Sequence, residues 1–135
     1  MIKPHSVHHV AIVVRDLEKS RRFYRDVLML EEIERPEFPF PGAWFQVGTQ
    51  QVHLIVHTSS TFRGDKDLDT RDLHFAMRVD NFGEALEFLR SKGYREDAAD
   101  DFQRMIVQPH ATAGFPQIFI LDPDRNIVEI NSEAL

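Results

Sequence analysis

The chain contains no cysteine. That absence removes disulfide frameworks and thiolate metal sites from consideration. It has no basic cluster longer than the one around Ser20-Arg21-Arg22, and its formal net charge is −6. Phosphate backbones and anionic bilayers attract the opposite balance, so neither nucleic acid nor membrane is an expected partner. No apolar run approaches the ~20 residues needed to cross a bilayer. Met1 to Val7 lacks the apolar centre of a secretion signal, and the cytoplasm is the default location.

What is present suits a small globular protein. The 135 residues are 42% hydrophobic, with eleven phenylalanines and one tryptophan to fill an interior. This length gives one domain, or two very small lobes sharing a core.

The chain also repeats itself. His9-Val-Ala-Ile-Val-Val-Arg-Asp-Leu17 is echoed by His74-Phe-Ala-Met-Arg-Val-Asp-Asn-Phe82 at an offset of 65 residues. His9 meets His74, Ala11 meets Ala76, Val14 meets Val79 and Phe23 meets Phe88. Val52-His53-Leu54 later resembles Val128-Glu129-Ile130, at an offset of 76, so the second copy carries roughly eleven extra residues. Each copy begins with a histidine on a strand and ends with a metal-capable residue between two apolar ones.

Local patterns fill in the copies. Residues 7–14 alternate, with Val10, Ile12 and Val14 on one face and His9, Ala11 and Val13 on the other. Asp16 is placed to cap a helix whose stripe of Leu17, Phe23, Tyr24, Val27 and Leu28 runs to about residue 29. A short charged strand at 31–35 and a loop with Pro36, Pro39 and Pro41 follow. Strands at 43–48 and 51–57 meet near Gly48-Thr49-Gln50. Residues 58–71 are polar and aperiodic, which marks a linker. In the second copy Phe75, Met77 and Val79 oppose His74, Ala76 and Arg78. Asn81 and Glu84 form a capping-box pattern, and Gly93 closes the helix. Residues 99–114 read as a loop with strand character at 103–107. Strands at 117–121 and 127–131 flank a turn at 122–126. The pattern is β-α-β-β-β twice, module 7–57 and module 72–132, and the class is α+β.

Strand parity carries the chemistry. His9, His53, His74 and Glu129 all stand opposite the bulky residues of their own strands. If the copies pack about a pseudo-two-fold axis, the four share one concavity. Three imidazoles and one carboxylate suit one Zn²⁺, Ni²⁺, Co²⁺ or Fe²⁺ ion, and suit Mg²⁺ or Ca²⁺ poorly. A lone strand histidine is usually structural. The repeat-equivalent placement of four such residues is what argues for a metal. His8 has the helix-facing parity of Val10. His57 has the site parity one pleat further on, which suits a pocket role. His5 and His110 lie in irregular segments.

These residues resemble the vicinal-oxygen-chelate superfamily of glyoxalase I, bleomycin-resistance proteins and extradiol dioxygenases. The marks are His9 to Asp16, Phe23-Tyr-Arg-Asp-Val-Leu28, His74 to Asp80 and Phe119-Ile-Leu-Asp-Pro-Asp-Arg-Asn-Ile-Val-Glu129. The resemblance implies paired βαβββ modules forming a cupped mixed sheet around a metal held by His9, His53, His74 and Glu129. It implies a small substrate that chelates the ion through neighbouring oxygens. It also implies a homodimer, with a site built within one chain or from two. Met29 and Arg125 stand where the family usually has glycine. His53 stands where glyoxalase I usually has glutamate, as a catalytic base; an imidazole accepts a proton there only when it is off the metal.

The leading expectation is therefore a glyoxalase-like lyase or isomerase with Glu129 and His53 in catalytic roles. Arg78, Gln117, Asn131, His57 and Phe45 or Trp44 are candidates for facing substrate. The first alternative is an Fe²⁺ ring-cleaving dioxygenase using His9, His74 and Glu129, with His53 as a base. The second is a non-catalytic binding or antibiotic-resistance protein.

Overall fold

The computed structural model describes residues 1–135. The chain divides into two compact units, Met1–Phe62 and Arg63–Leu135.

In the first unit, β1 (His9–Val14) leads into α1 (Leu17–Arg22), followed by β2 (Glu31–Ile33), β3 (Gly42–Val47) and β4 (Gln50–Val56). The sheet order is β1-β4-β3-β2. Only β1 and β4 run parallel, with Ala11 beside His53. The Asp16 side chain accepts the Lys19 backbone N–H at 3.1 Å, which supplies the expected cap. The helix does not continue as an α-helix to residue 29. Phe23–Val27 widens into a π-helical turn, and Leu28 N–H donates to the Phe23 carbonyl at 3.1 Å. The adjacent Phe23 and Tyr24 of this turn are both buried. Tyr24 lies 6.0 Å from Phe45 between ring centres, over a face that also buries Val14, Ala43, Val52 and Leu54. Each large side chain removed from water here contributes ~1.5–3 kcal/mol.

The second unit repeats the plan. Its elements are β5 (His74–Arg78), α2 (Phe82–Ser91), β6 (Ile106–Gln108), β7 (Gln117–Leu121) and β8 (Ile127–Asn131). The order is β5-β8-β7-β6, again with only the first pair parallel, and Ala76 stands beside Glu129. A short 3-10 turn at Asp101–Gln103 precedes β6 inside the inserted segment. The Asn81 side chain accepts the Glu84 N–H at 3.0 Å and starts α2. Gly93 ends it with φ 97°, and Tyr94 N–H returns to the Leu89 carbonyl at 3.1 Å.

Met29 and Arg125, the two departures from glycine, both adopt left-handed backbone, with φ of 57° and 66°. The stretch 63–71 folds onto the second unit. Leu68 packs with Phe119, Leu121 and Ile127, and Arg63 donates to the Arg125 carbonyl at 2.8 Å. No helix is long and apolar enough to cross a membrane.

Candidate metal centre

The candidate ligands come in two pairs, one in each unit. His9 and His53 stack with ring centres 4.1 Å apart and planes 17° from parallel. The far face of His53 stacks on Trp44 at 4.0 Å and 3°. The imidazole is thus sandwiched and 7% exposed. Burial lowers its pKa to about 4, with help from nearby His9, His8 and Arg35. His53 is therefore neutral at physiological pH and keeps a lone pair for a metal or a proton. Its Nε2 lies 2.8 Å from Gln51 Oε1. Sequence reasoning overlooked Gln51, although it sits two residues from His53 on the same strand face. His9 is also touched by His8, Nδ1 to Nδ1 at 2.9 Å.

In the second unit, His74 Nε2 lies 3.1 Å from Glu129 Oε2, and His74 Nδ1 lies 2.8 Å from the Asp72 carbonyl. A carbonyl only accepts, so Nδ1 carries the hydrogen. A neutral ring then turns its Nε2 lone pair towards a carboxylate that also only accepts. The contact requires a proton between the two atoms or a cation beside both. Glu129 is 4% exposed. Its Oε1 accepts from Gln117 Nε2 and from Asn131 Nδ2, each at 2.9 Å. Asn131 Oδ1 in turn accepts from Arg78 Nε at 2.6 Å. Phe119 edges the His74 ring at 5.5 Å, and the Arg78 guanidinium lies 4.9 Å from the Phe115 ring. Three of the residues expected to face substrate, Arg78, Gln117 and Asn131, therefore form the support of Glu129.

Two other expectations change. Phe45 does not face the His53 side. It is 0% exposed and packs in the core on Tyr24, while its neighbour Trp44 stands opposite His53 in the strand register. His57 lies just past the end of β4, exposed, and its Nδ1 accepts the Ser59 N–H at 3.0 Å, closing a turn.

The donor types suit a borderline divalent ion: in the first unit a ring held neutral by burial, and in the second a carboxylate beside a ring whose other nitrogen is fixed by a carbonyl. In neither unit do three metal-capable side chains gather. Each offers two.

The superfamily model for Glyoxalase/Bleomycin resistance protein/Dioxygenase matches residues 6–130. The chain belongs to this superfamily. A glyoxylase I 4 of Arabidopsis thaliana is 28% identical over 133 residues, covering 96% of this chain and 72% of the relative. The lactoylglutathione lyase of Escherichia coli O157:H7 is 33% identical over 89 residues, covering 63% of this chain and 66% of the lyase. Among solved structures, a glyoxalase-family protein from Bacillus anthracis superposes with a TM-score of 0.75 at 23% identity, covering 98% of both chains. That likeness establishes the superfamily's α+β fold with two tandem modules.

Proposed function

We propose that this superfamily member is a divalent-metal-dependent lyase or isomerase of glyoxalase type. Its substrate is a small molecule with two neighbouring oxygens, and His9, His53, His74 and Glu129 hold one Zn²⁺, Ni²⁺, Co²⁺ or Fe²⁺ ion. The observation that carries this reading is the His74–Glu129 pair, a metal-capable nitrogen and oxygen held 3.1 Å apart across neighbouring strands. The names of the lyase relatives point to the same reaction class.

When bound, the ion would supply a Lewis acid that draws charge onto the substrate oxygens. The chain's own residues do the rest. Gln117 and Asn131 hold Glu129 Oε1 from two sides, which fixes the plane of the carboxylate. Glu129 Oε2, which those amides do not hold, would loosen its coordination to take a proton from the carbon beside a substrate carbonyl and return it to the neighbouring carbon. The near-complete burial of Glu129 keeps water from competing for that proton. His53, neutral and sandwiched between His9 and Trp44, supplies a nitrogen lone pair. Copies of the chain pair as a homodimer in this reading, which sedimentation of the metal-loaded protein tests.

Glu129→Gln tests the assignment. Turnover of lactoylglutathione, measured in metal-loaded protein, is expected to disappear while the circular dichroism stays unchanged. Full turnover in the variant rejects the role of Glu129.

One contact favours a second reading. His53 is already bonded to Gln51, so it can stand off the ion. His9, His74 and Glu129 then form the two-histidine, one-carboxylate set of ferrous oxygenases. Oxygen uptake that depends on Fe²⁺ supports this reading, and turnover with Zn²⁺ or Ni²⁺ under anaerobic conditions rejects it.

A further inference from the structure

The loop joining β2 to β3, residues 34–41, bounds an open pocket of about 530 Å³ whose lining includes Arg35, Phe38, Phe40, Gly42 and the Arg21–Glu32 pair. Pro36, Pro39 and Pro41 restrict the loop backbone. The volume falls in the range of small-molecule sites.

The charges in this pocket are unevenly satisfied. Arg21 bonds to Glu18 and, at 2.9 Å, to Glu32. Arg35 has no carboxylate partner. Its one hydrogen bond runs from Nη2 to the Phe40 carbonyl at 3.0 Å, and its buried Nε has no acceptor. Glu37 stands exposed at the rim, with no hydrogen bond to Arg35. The Arg35 guanidinium lies 4.6 Å from the Phe38 ring centre and 5.3 Å from that of Phe40. It lies beside Gly42, where a Cβ atom would collide first with the Leu54 carbonyl oxygen and would also fall 2.9 Å from both Nε and Nη2.

The aromatic groups are only partly covered. Phe38 and Phe40 stack at 5.2 Å, yet stay 41% and 37% exposed. Phe38 reaches Trp44 at 6.2 Å. A half-buried guanidinium without an anion lies beside two rings that stay partly exposed. The complement is a molecule with a carboxylate at one end and a flat apolar group at the other.

We propose that this pocket binds a small aromatic carboxylate, its carboxylate on the Arg35 guanidinium and its ring against Phe38 and Phe40. The site uses the first unit alone, and it stands whether or not the metal reading does.

The test is a titration of the full chain with 3-phenylpropionate, in parallel with its neutral counterpart 3-phenylpropanamide. Calorimetry and the fluorescence of Trp44, the sole tryptophan, are the readouts. The acid is expected to saturate and to bind at least about tenfold more tightly than the amide. Arg35→Met should bring the acid down to the level of the amide, and Phe38→Ala should weaken both. Equal binding of acid and amide to the unaltered chain overturns the proposal. So does a lack of saturation at about 10 mM acid, or a folded Arg35→Met that keeps the preference. The acid–amide comparison needs no variant, so it decides the matter even if Arg35→Met does not fold.

Discussion

His74 and Glu129 meet across the parallel strands β5 and β8, Nε2 to Oε2 at 3.1 Å, while His74 Nδ1 is committed to the Asp72 carbonyl at 2.8 Å. With the ring neutral and the carboxylate ionised, the pairing leaves electron pairs on both facing atoms. The amides of Gln117 and Asn131 fix the other carboxylate oxygen. The charge that completes the arrangement must come from a proton or a metal, and the two respond differently to substitution.

Gln117→Leu and Asn131→Leu each remove one donor to Glu129 without touching His74. Partners of ligating carboxylates typically affect metal affinity by about 10–100-fold. Each variant is expected to bind Zn²⁺ that much more weakly in a chelator competition, with its circular dichroism retained. Unchanged affinity in both would remove Gln117 and Asn131 from the proposed metal centre.

The pH dependence of stability follows from His53. Its folded pKa is about 4, against 6.5 for the free side chain, chiefly because burial disfavours the charged ring. Between those values the unfolded chain binds a proton that the folded chain refuses. Stability contributed by the neutral ring is thus present above about 6.5 and is lost as pH falls towards about 4. Urea midpoints of metal-free protein should fall across that window. His53→Leu, which cannot titrate, should show a shallower fall. Identical slopes would show that His53 titrates normally in the fold.

Met29 and Arg125 share a backbone conformation but not a prediction. Left-handed backbone costs an ordinary residue ~1–2 kcal/mol, offset in part by the entropy glycine loses on folding. Met29 is 67% exposed, so Met29→Gly discards little packing and should stabilise the protein by about 0.5–1 kcal/mol in urea unfolding. Arg125 donates from Nε to the Lys66 carbonyl at 2.9 Å and reaches Asp101 at 3.1 Å. Arg125→Gly loses both contacts and should destabilise. A stabilised Arg125→Gly would show that those contacts contribute little.

Much of this was legible in the sequence because strands expose their parity. The histidine at the head of each copy and the residue at its end could be assigned a face before any coordinates. The two polar caps, Asp16 and Asn81, announced both helices. The face of Phe45 was not legible, because it depends on the length of one turn. The two-residue turn at Gly48-Thr49 puts Trp44 across from His53. A three-residue turn ending at Gln50 would have put Phe45 there instead. The π-helical turn escaped because an apolar stripe at 23, 24, 27 and 28 is compatible with an ordinary helix. The support of Glu129 was half visible: Asn131 lies two residues along the same strand face and Gln117 on the strand beside it. Facing the site suggested contact with substrate, whereas the hydrogen bonds run to the carboxylate.

The most direct test of the metal centre is a titration of metal-free protein with Co²⁺, followed by its visible absorption. It is run on the unaltered chain and on His9→Ala, His53→Ala, His74→Ala and Glu129→Ala. The account predicts one tightly held ion per chain, and a weakened site in every one of the four variants. Failure of the unaltered chain to bind Co²⁺, or binding that persists unchanged through all four substitutions, would contradict it.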